Sequence, residues 1–206
     1  MRPGARTALL VVDMQNGFCS SGGSFVTIAG ALHDIDRVVR TVNSTIVRAR
    51  EFGMPVVFTR HVYQPGYVDA PAVETPAMGL IKAVGGLLSG SWDGELIDEL
   101  DQRPSDAVVD KCRPDAFFDT SLGSLLRCLG ITDVAVAGVV TNICVESTVR
   151  SAFMRDYVCT VVCDACTAMS AEDHQASLRL LEKYGLAGGT ASAEWTPREA
   201  EPTARR

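Results

Sequence analysis

The chain alternates between two patterns of apolar residues, one typical of buried strands and one typical of amphipathic helices. Short unbroken apolar runs, such as TALLVVD and DVAVAGVV, predict strands buried on both faces of a sheet. Apolar residues recurring every three or four positions, as in Ile35, Val38, Val42 and Ile46, predict helices. The predicted strands cover residues 7–13, 54–60, 106–111, 133–140 and 157–165, with a sixth in LAGGTA (186–191). The predicted helices cover 34–52, 94–100, SLGSLLRCLG (121–130), the segment that follows Cys144, and Ser170 to Tyr184.

Strands that alternate with helices in this way are typical of an α/β fold with a parallel sheet. The pattern predicts a three-layer α/β/α, Rossmann-like architecture with a central, mostly parallel sheet of six strands. Because no internal repeat or linker divides the sequence, we expect one domain over residues 1–206, with a core at about 7–190 and a polar C-terminal tail. Residues 61–90 are rich in Gly and Pro and are expected to form a long loop over the sheet.

The composition excludes several classes of protein. With 47% hydrophobic and 21% charged residues, the chain has an ordinary globular composition. A net charge of −6 argues against nucleic-acid or anionic-membrane partners, which require a basic surface. No apolar run is long enough to span a membrane, and Asp13 interrupts the N-terminal apolar run, which argues against a signal peptide. The seven cysteines have no disulfide-like spacing, which indicates free thiols and a reducing cytoplasm.

Three chemically complementary residues follow predicted strands. Asp13 ends the first strand, Lys111 ends the third, and Cys144 follows the fourth. Ligands of open parallel sheets bind at the carboxyl ends of the strands, so we expect an acid, an amine and a thiol on one rim. His61 stands at the end of the second strand.

The position of Cys144 allows two interpretations. Cysteine is often a core residue, which would make this thiol a packing group. Thr141 or Asn142 could instead cap the following helix and place the thiol in its first turn, where the helix dipole lowers a thiol pKa. A nearby lysine would lower that pKa further, and an aspartate could accept the proton.

Three blocks of the sequence, LLVVDMQNGF, DKCRPDAFFDTSL and AGVVTNICVESTVRSAF, together resemble the isochorismatase-like cysteine hydrolases, in the order in which that family has them. The resemblance implies that Asp13, Lys111 and Cys144 are the catalytic residues. It also implies a cis peptide at Val139–Val140 and an oxyanion hole made by the backbone amides of Val140 and Cys144. The blocks GSWDGELIDEL, FFDTSL and TNICVESTVR are similar to members of the ureidoacrylate amidohydrolase type.

The implied function is cysteine-dependent cleavage of a C–N bond in a small amide or ureido molecule, through a thioester on Cys144. Ureidoacrylate, biuret, N-carbamoyl compounds and streptothricin-type lactams remain open as substrates. Two alternatives are an isochorismatase-type hydrolase of a vinyl ether and an inactive binding protein of the same fold. The family further implies a homo-oligomer, either a dimer or a tetramer.

Candidate substrate contacts come partly from the same resemblance and partly from aromatic residues near the rim. They are Phe18, His61, Tyr63, Trp92 and Phe117, and Trp92 could instead serve a subunit interface. Nicotinamidases of the family carry a metal-binding Asp/His cluster after strand two, where this chain has only His61. We therefore expect no metal and no cofactor. Pro114 stands where an aromatic residue is expected after Lys111, which leaves the precise substrate open.

Overall fold

The computed structural model describes residues 6–197 and contains one sheet of six parallel strands in the order β3-β2-β1-β4-β5-β6. The predicted fold class is confirmed. The strands are β1 (Thr7–Val12), β2 (Val56–His61), β3 (Ala107–Lys111), β4 (Asp133–Val139), β5 (Val158–Thr167) and β6 (Gly188–Thr190). Each strand overlaps a segment that the sequence predicts to be a strand. Residues 198–206 of the predicted polar tail lie outside the described residues.

Seven α-helices accompany the strands within the described residues. They are α1 (Asn16–Cys19), α2 (Ser24–Ala29), α3 (Ile35–Glu51), α4 (Pro76–Ala83), α5 (Leu122–Cys128), α6 (Glu146–Phe153) and α7 (Ala171–Lys183). The sequence did not predict α1 and α2. Helix α4 lies inside the predicted loop 61–90, where Thr75 caps it by accepting a hydrogen bond from the amide of Met78. None of the helices in residues 6–197 has both the length and the apolarity needed to cross a bilayer.

The predicted helix 94–100 is wrong. A 3₁₀ turn at Trp92–Gly94 is followed by backbone that pairs with residues 14–16, just after β1. The amide of Asn16 donates to the carbonyl of Glu95 at 2.9 Å, and the amide of Ile97 donates to the carbonyl of Met14 at 3.0 Å. Pairing with a distant segment therefore outweighs the local helix propensity of GELIDEL.

The sheet separates two apolar layers, and β1 contributes to both because its side chains alternate between the faces. Leu9 and Val11 pack on the layer that contains α3, whereas Leu10 and Val12 pack on the layer that contains α5, α6 and α7. All six residues of β1 are buried. The central strand is thus held on both faces, which keeps its carboxyl end in one position.

The carboxyl ends of β1 and β4 approach closely at Gly138. This residue has a φ of +116°, and a Cβ added to it would lie 2.1 Å from the carbonyl oxygen of Val12. Only glycine fits here, because any side chain would collide with the neighbouring backbone. The close approach brings Asp13, which follows β1, and Val139, which ends β4, to the same edge.

Two adjacent residues of α3 test the assignment of the core. Ile46 is fully buried, whereas Val47 is 47% exposed. We expect Ile46→Ala to lower the free energy of unfolding by about 2–5 kcal/mol, because it leaves a cavity. Val47→Ala should change it by less than about 0.5 kcal/mol. Urea denaturation measures both free energies of unfolding. Equal losses from the two variants would contradict the assignment of Ile46 to the buried face of α3 and of Val47 to the exposed face.

Candidate active site

The candidate site lies at the carboxyl edge of the sheet, where Asp13, Lys111 and Cys144 come together. Asp13 directly follows β1, Lys111 ends β3, and Cys144 lies in the turn after β4. Strand β2 lies between β1 and β3, and its last residue, His61, pairs in register with Lys111. The expectation that these side chains share one rim is confirmed.

Asp13 and Lys111 form a buried ion pair. The Lys111 Nζ lies 2.6 Å from Asp13 Oδ2, and neither side chain is exposed to solvent. Thr59 Oγ1 donates to Asp13 Oδ1 at 2.6 Å, and Lys111 Nζ also donates to the carbonyl of Arg113 at 3.0 Å. Burial alone would lower the pKa of Lys111, but Asp13 and Cys144 outweigh it and the pKa is raised. The lysine is therefore a permanent ammonium ion beside the carboxylate.

The thiol of Cys144 is buried beside this pair. One carboxylate oxygen of Asp13, one imidazole nitrogen of His61 and the Cys144 Sγ all lie within 4.8 Å of one another. Burial raises the pKa of the Cys144 thiol to about 12; Lys111 lowers it and Asp13 raises it. The sequence-based expectation of a lowered pKa is wrong, because desolvation outweighs the nearby ammonium. At neutral pH the sulfur is a thiol, and an acceptor must remove its proton before or during attack.

The chain around Cys144 differs from the predicted capped helix. Residues Thr141–Val145 form a single π-type turn that leads into α6, and Val140, not Thr141 or Asn142, occupies the N-cap without a side-chain hydrogen bond. The Val140 carbonyl accepts from the amides of Ile143 and Val145. The Val139–Val140 peptide bond is cis, at the position that the family resemblance implies. The assignment of the Val140 and Cys144 amides to an oxyanion hole stays a prediction.

His61 is held in place by residues that sequence reasoning missed. Gln15 is fully buried; its Oε1 accepts from the His61 amide at 2.6 Å, and its Nε2 donates to the His61 carbonyl at 3.1 Å. The Gln15 Nε2 also donates to the carbonyl of Gly94 at 2.8 Å. Thr59 is a polar residue within an apolar strand, and Gln15 is a polar residue just after one. Because buried polar side chains need hydrogen-bond partners, their positions in the sequence could have indicated a structural role.

The predicted substrate contacts divide into two groups. The Tyr63 hydroxyl lies 2.9 Å from His61 Nε2, and the Phe18 ring centroid lies 6.5 Å from that of His61. The Phe117 ring instead stacks on Tyr157, with its centroid 5.8 Å away, in the layer of α5 to α7. The Trp92 side chain is 56% exposed. The structure therefore brings Phe18 and Tyr63, but neither of the other two rings, to the imidazole.

Asp13, His61 and Cys144 are also residue types that bind metal ions. Both Asp13 oxygens are already engaged, by Thr59 and by Lys111, and the Lys111 ammonium repels a cation. The absence of a metal cofactor stays a prediction.

The chain is similar in sequence and in structure to known proteins. The family model for the isochorismatase domain matches residues 7–193. A cysteine hydrolase from Pseudomonas syringae pv. phaseolicola 1448A is 29% identical with a TM-score of 0.80, covering 92% of this chain and 90% of its own. N-carbamoylsarcosine amidase from Thermoplasma acidophilum is 28% identical with a TM-score of 0.71, covering 92% of this chain and 98% of its own.

Curated relatives with higher identity are amidohydrolases. Ureidoacrylate amidohydrolase RutB of Pseudomonas syringae pv. syringae (strain B728a) is 39% identical over 177 residues, covering 80% of this chain and 71% of the relative. The RutB of Acinetobacter baylyi is 37% identical over 194 residues, covering 87% and 78%. With the family model matched along most of its length, the chain belongs to the isochorismatase family, as a hydrolase acting on carbon–nitrogen bonds other than peptide bonds.

Proposed function

We propose that the protein is a cysteine-dependent amidohydrolase that cleaves a small amide or ureido substrate through a thioester on Cys144. The observation that carries the proposal is the buried Asp13–Lys111 ion pair beside the Cys144 Sγ. A carboxylate next to a thiol is the base-and-nucleophile pair that covalent acyl transfer requires. The similarity to ureidoacrylate amidohydrolases and to an N-carbamoylsarcosine amidase supports the class of substrate.

In the first half of the reaction, Asp13 accepts the thiol proton as the sulfur attacks the substrate carbonyl carbon. A C–S bond forms, and the carbonyl oxygen becomes an oxyanion that the Val140 and Cys144 amides would bind. The C–N bond then breaks, and the departing nitrogen takes the proton from Asp13. Ammonia or an amine leaves, and the acyl group stays on Cys144 as a thioester.

In the second half, Asp13 removes a proton from water, and the resulting hydroxide attacks the thioester carbon. The C–S bond breaks, the thiolate recovers a proton from Asp13, and the acid product leaves. Lys111 keeps Asp13 oriented toward the sulfur during both halves, because its ammonium lies 2.6 Å from the carboxylate. Since the thiol pKa is raised to about 12, proton transfer to Asp13 must accompany the attack.

The surroundings of the sulfur suit a small planar group. The rings of Phe18, His61 and Tyr63 lie beside the site, and flat amide or ureido groups pack well on such rings. Trp92 and Phe117 remain predicted contacts, although the Phe117 ring packs on Tyr157.

A substrate screen tests the proposal. We expect ammonia release from at least one member of a panel of ureidoacrylate, N-carbamoyl amino acids, biuret, simple amides and lactams. Cys144→Ala should abolish the release, because it removes the nucleophile. Cleavage of isochorismate with no turnover of the panel would favour the vinyl-ether hydrolase. No turnover of either, by folded protein, would favour an inactive binding protein.

Substitutions of the ion pair test the assigned roles. We expect Asp13→Asn and Lys111→Met to lower kcat on the order of 10³-fold or more, because the first removes the base and the second removes the ammonium that holds the base in place. Arg60→Gln is a matched control: Arg60 precedes His61 on β2, and its ion pairs with Glu95 and Asp110 are partly exposed. Steady-state kinetics with circular dichroism measures all three variants, and a kcat within tenfold of wild type for Asp13→Asn would contradict its role as the base.

A further inference from the structure

His61 contacts the reactive sulfur directly. Its Nδ1 lies 3.9 Å from Cys144 Sγ, within hydrogen-bond distance for sulfur, and its Nε2 lies 2.9 Å from the Tyr63 hydroxyl. The imidazole and the phenol are both buried. Gln15 accepts from the His61 amide and donates to the His61 carbonyl, so the backbone from which the ring projects is fixed. None of the steps proposed above uses this group.

The ring is neutral. Burial lowers the pKa of His61 well below its usual range, and the positive charges of Lys111 and Arg113 lower it further. One ring nitrogen therefore carries a proton and the other accepts a hydrogen bond. Burial also raises the pKa of Tyr63 to about 12, so the phenol keeps its proton.

Counting donors and acceptors selects one tautomer of this neutral ring. If Nε2 carried the proton, it would donate to Tyr63, and the phenol proton would lack an acceptor among the described residues. If Nδ1 carries the proton, Tyr63 donates to Nε2 and Nδ1–H points at the sulfur, so both donors are satisfied. Buried donors are nearly always paired, which favours the Nδ1–H form.

We propose that His61, held by Tyr63 as the Nδ1–H tautomer, is a further catalytic residue that donates a hydrogen bond to Cys144 Sγ and stabilises the thiolate. The inference rests on the proposed function for the role of the sulfur as nucleophile. It also leaves the proton balance unchanged, because the thiol proton still passes to Asp13 and His61 keeps its own. The hydrogen bond is strongest when the sulfur is an anion, in the attacking and leaving states, so it acts on the reaction barrier.

Other charged groups face the same sulfur, and the experiment must separate them from His61. Asp13 comes from the end of β1 and Lys111 from the end of β3, and both alter the thiol pKa. Arg113 follows β3 and acts on His61 and Tyr63. All of these residues are unchanged in sequence when His61 alone is exchanged.

Two substitutions separate the two ring nitrogens. Asn carries an amide nitrogen near the position of Nδ1, so His61→Asn retains a donor to the sulfur and loses the contact with Tyr63. Gln carries its amide near Nε2, so His61→Gln retains the contact with Tyr63 and loses the donor to the sulfur. The probe is iodoacetamide, and peptide mass spectrometry measures the alkylation rate of Cys144 from pH 7 to pH 10.

We expect His61→Gln to slow alkylation of Cys144 at pH 8 about tenfold, as loss of one hydrogen bond to an anion predicts. His61→Asn should recover the rate to within about threefold of wild type. Alkylation of Cys128, which is exposed, should be the same in all variants. A wild-type rate in His61→Gln, or equal slowing in both variants, would overturn the proposal.

The tautomer is measured without any substitution at the site. In wild-type protein with ¹⁵N-labelled histidine, we expect the His61 signals to show a protonated Nδ1 and an unprotonated Nε2. The spectra of His33→Gln and His174→Gln, which change the other two histidines of the chain, assign the His61 signals by elimination. A protonated Nε2 would refute the inference even if a variant fails to fold. Neither readout needs a substrate, so failure of the substrate screen and failure of this inference are separate results.

Discussion

The carboxylate of Asp13 and the ammonium of Lys111 lie 2.6 Å apart with no exposure to water. The arrangement of the strand ends at this edge of the sheet keeps the two groups in contact. Removing each charge from water costs several kcal/mol, which mutual attraction offsets only when the groups are close and otherwise hydrogen-bonded. Thr59 satisfies the second carboxylate oxygen, and the Arg113 carbonyl accepts from the ammonium. Strands β1, β2 and β3 must therefore keep one register for the pair to exist.

The same exclusion of water determines the state of the sulfur. Burial and the Asp13 carboxylate disfavour a thiolate at Cys144, and together they outweigh the favourable effect of the Lys111 ammonium. Cys144 is therefore a neutral thiol before the substrate binds. Hydrogen-bond donors and acceptors in a site without water interact strongly with nearby charged groups, because no solvent screens the interaction. The proposed roles of Asp13 as proton acceptor and His61 as donor both depend on this environment.

A segment outside the sheet connects the fold to the site. Residues after Gly94 pair with the segment around Gln15 that follows β1, and Gln15 in turn binds the backbone of His61. The support of the imidazole thus depends on contacts between positions about 80 residues apart in sequence. Such contacts leave no periodic signal, which explains why the segment was predicted as a helix.

The sequence alone determined the parallel sheet, its strands and the rim that carries Asp13, Lys111 and Cys144. Apolar runs report burial directly, and residues after parallel strands must meet at one edge. Only the tertiary structure decided the raised thiol pKa, the support from Gln15 and Thr59, and the contact of His61 with Tyr63 and the sulfur. These properties depend on desolvation and on distances between remote residues, and neither is encoded in local spacing.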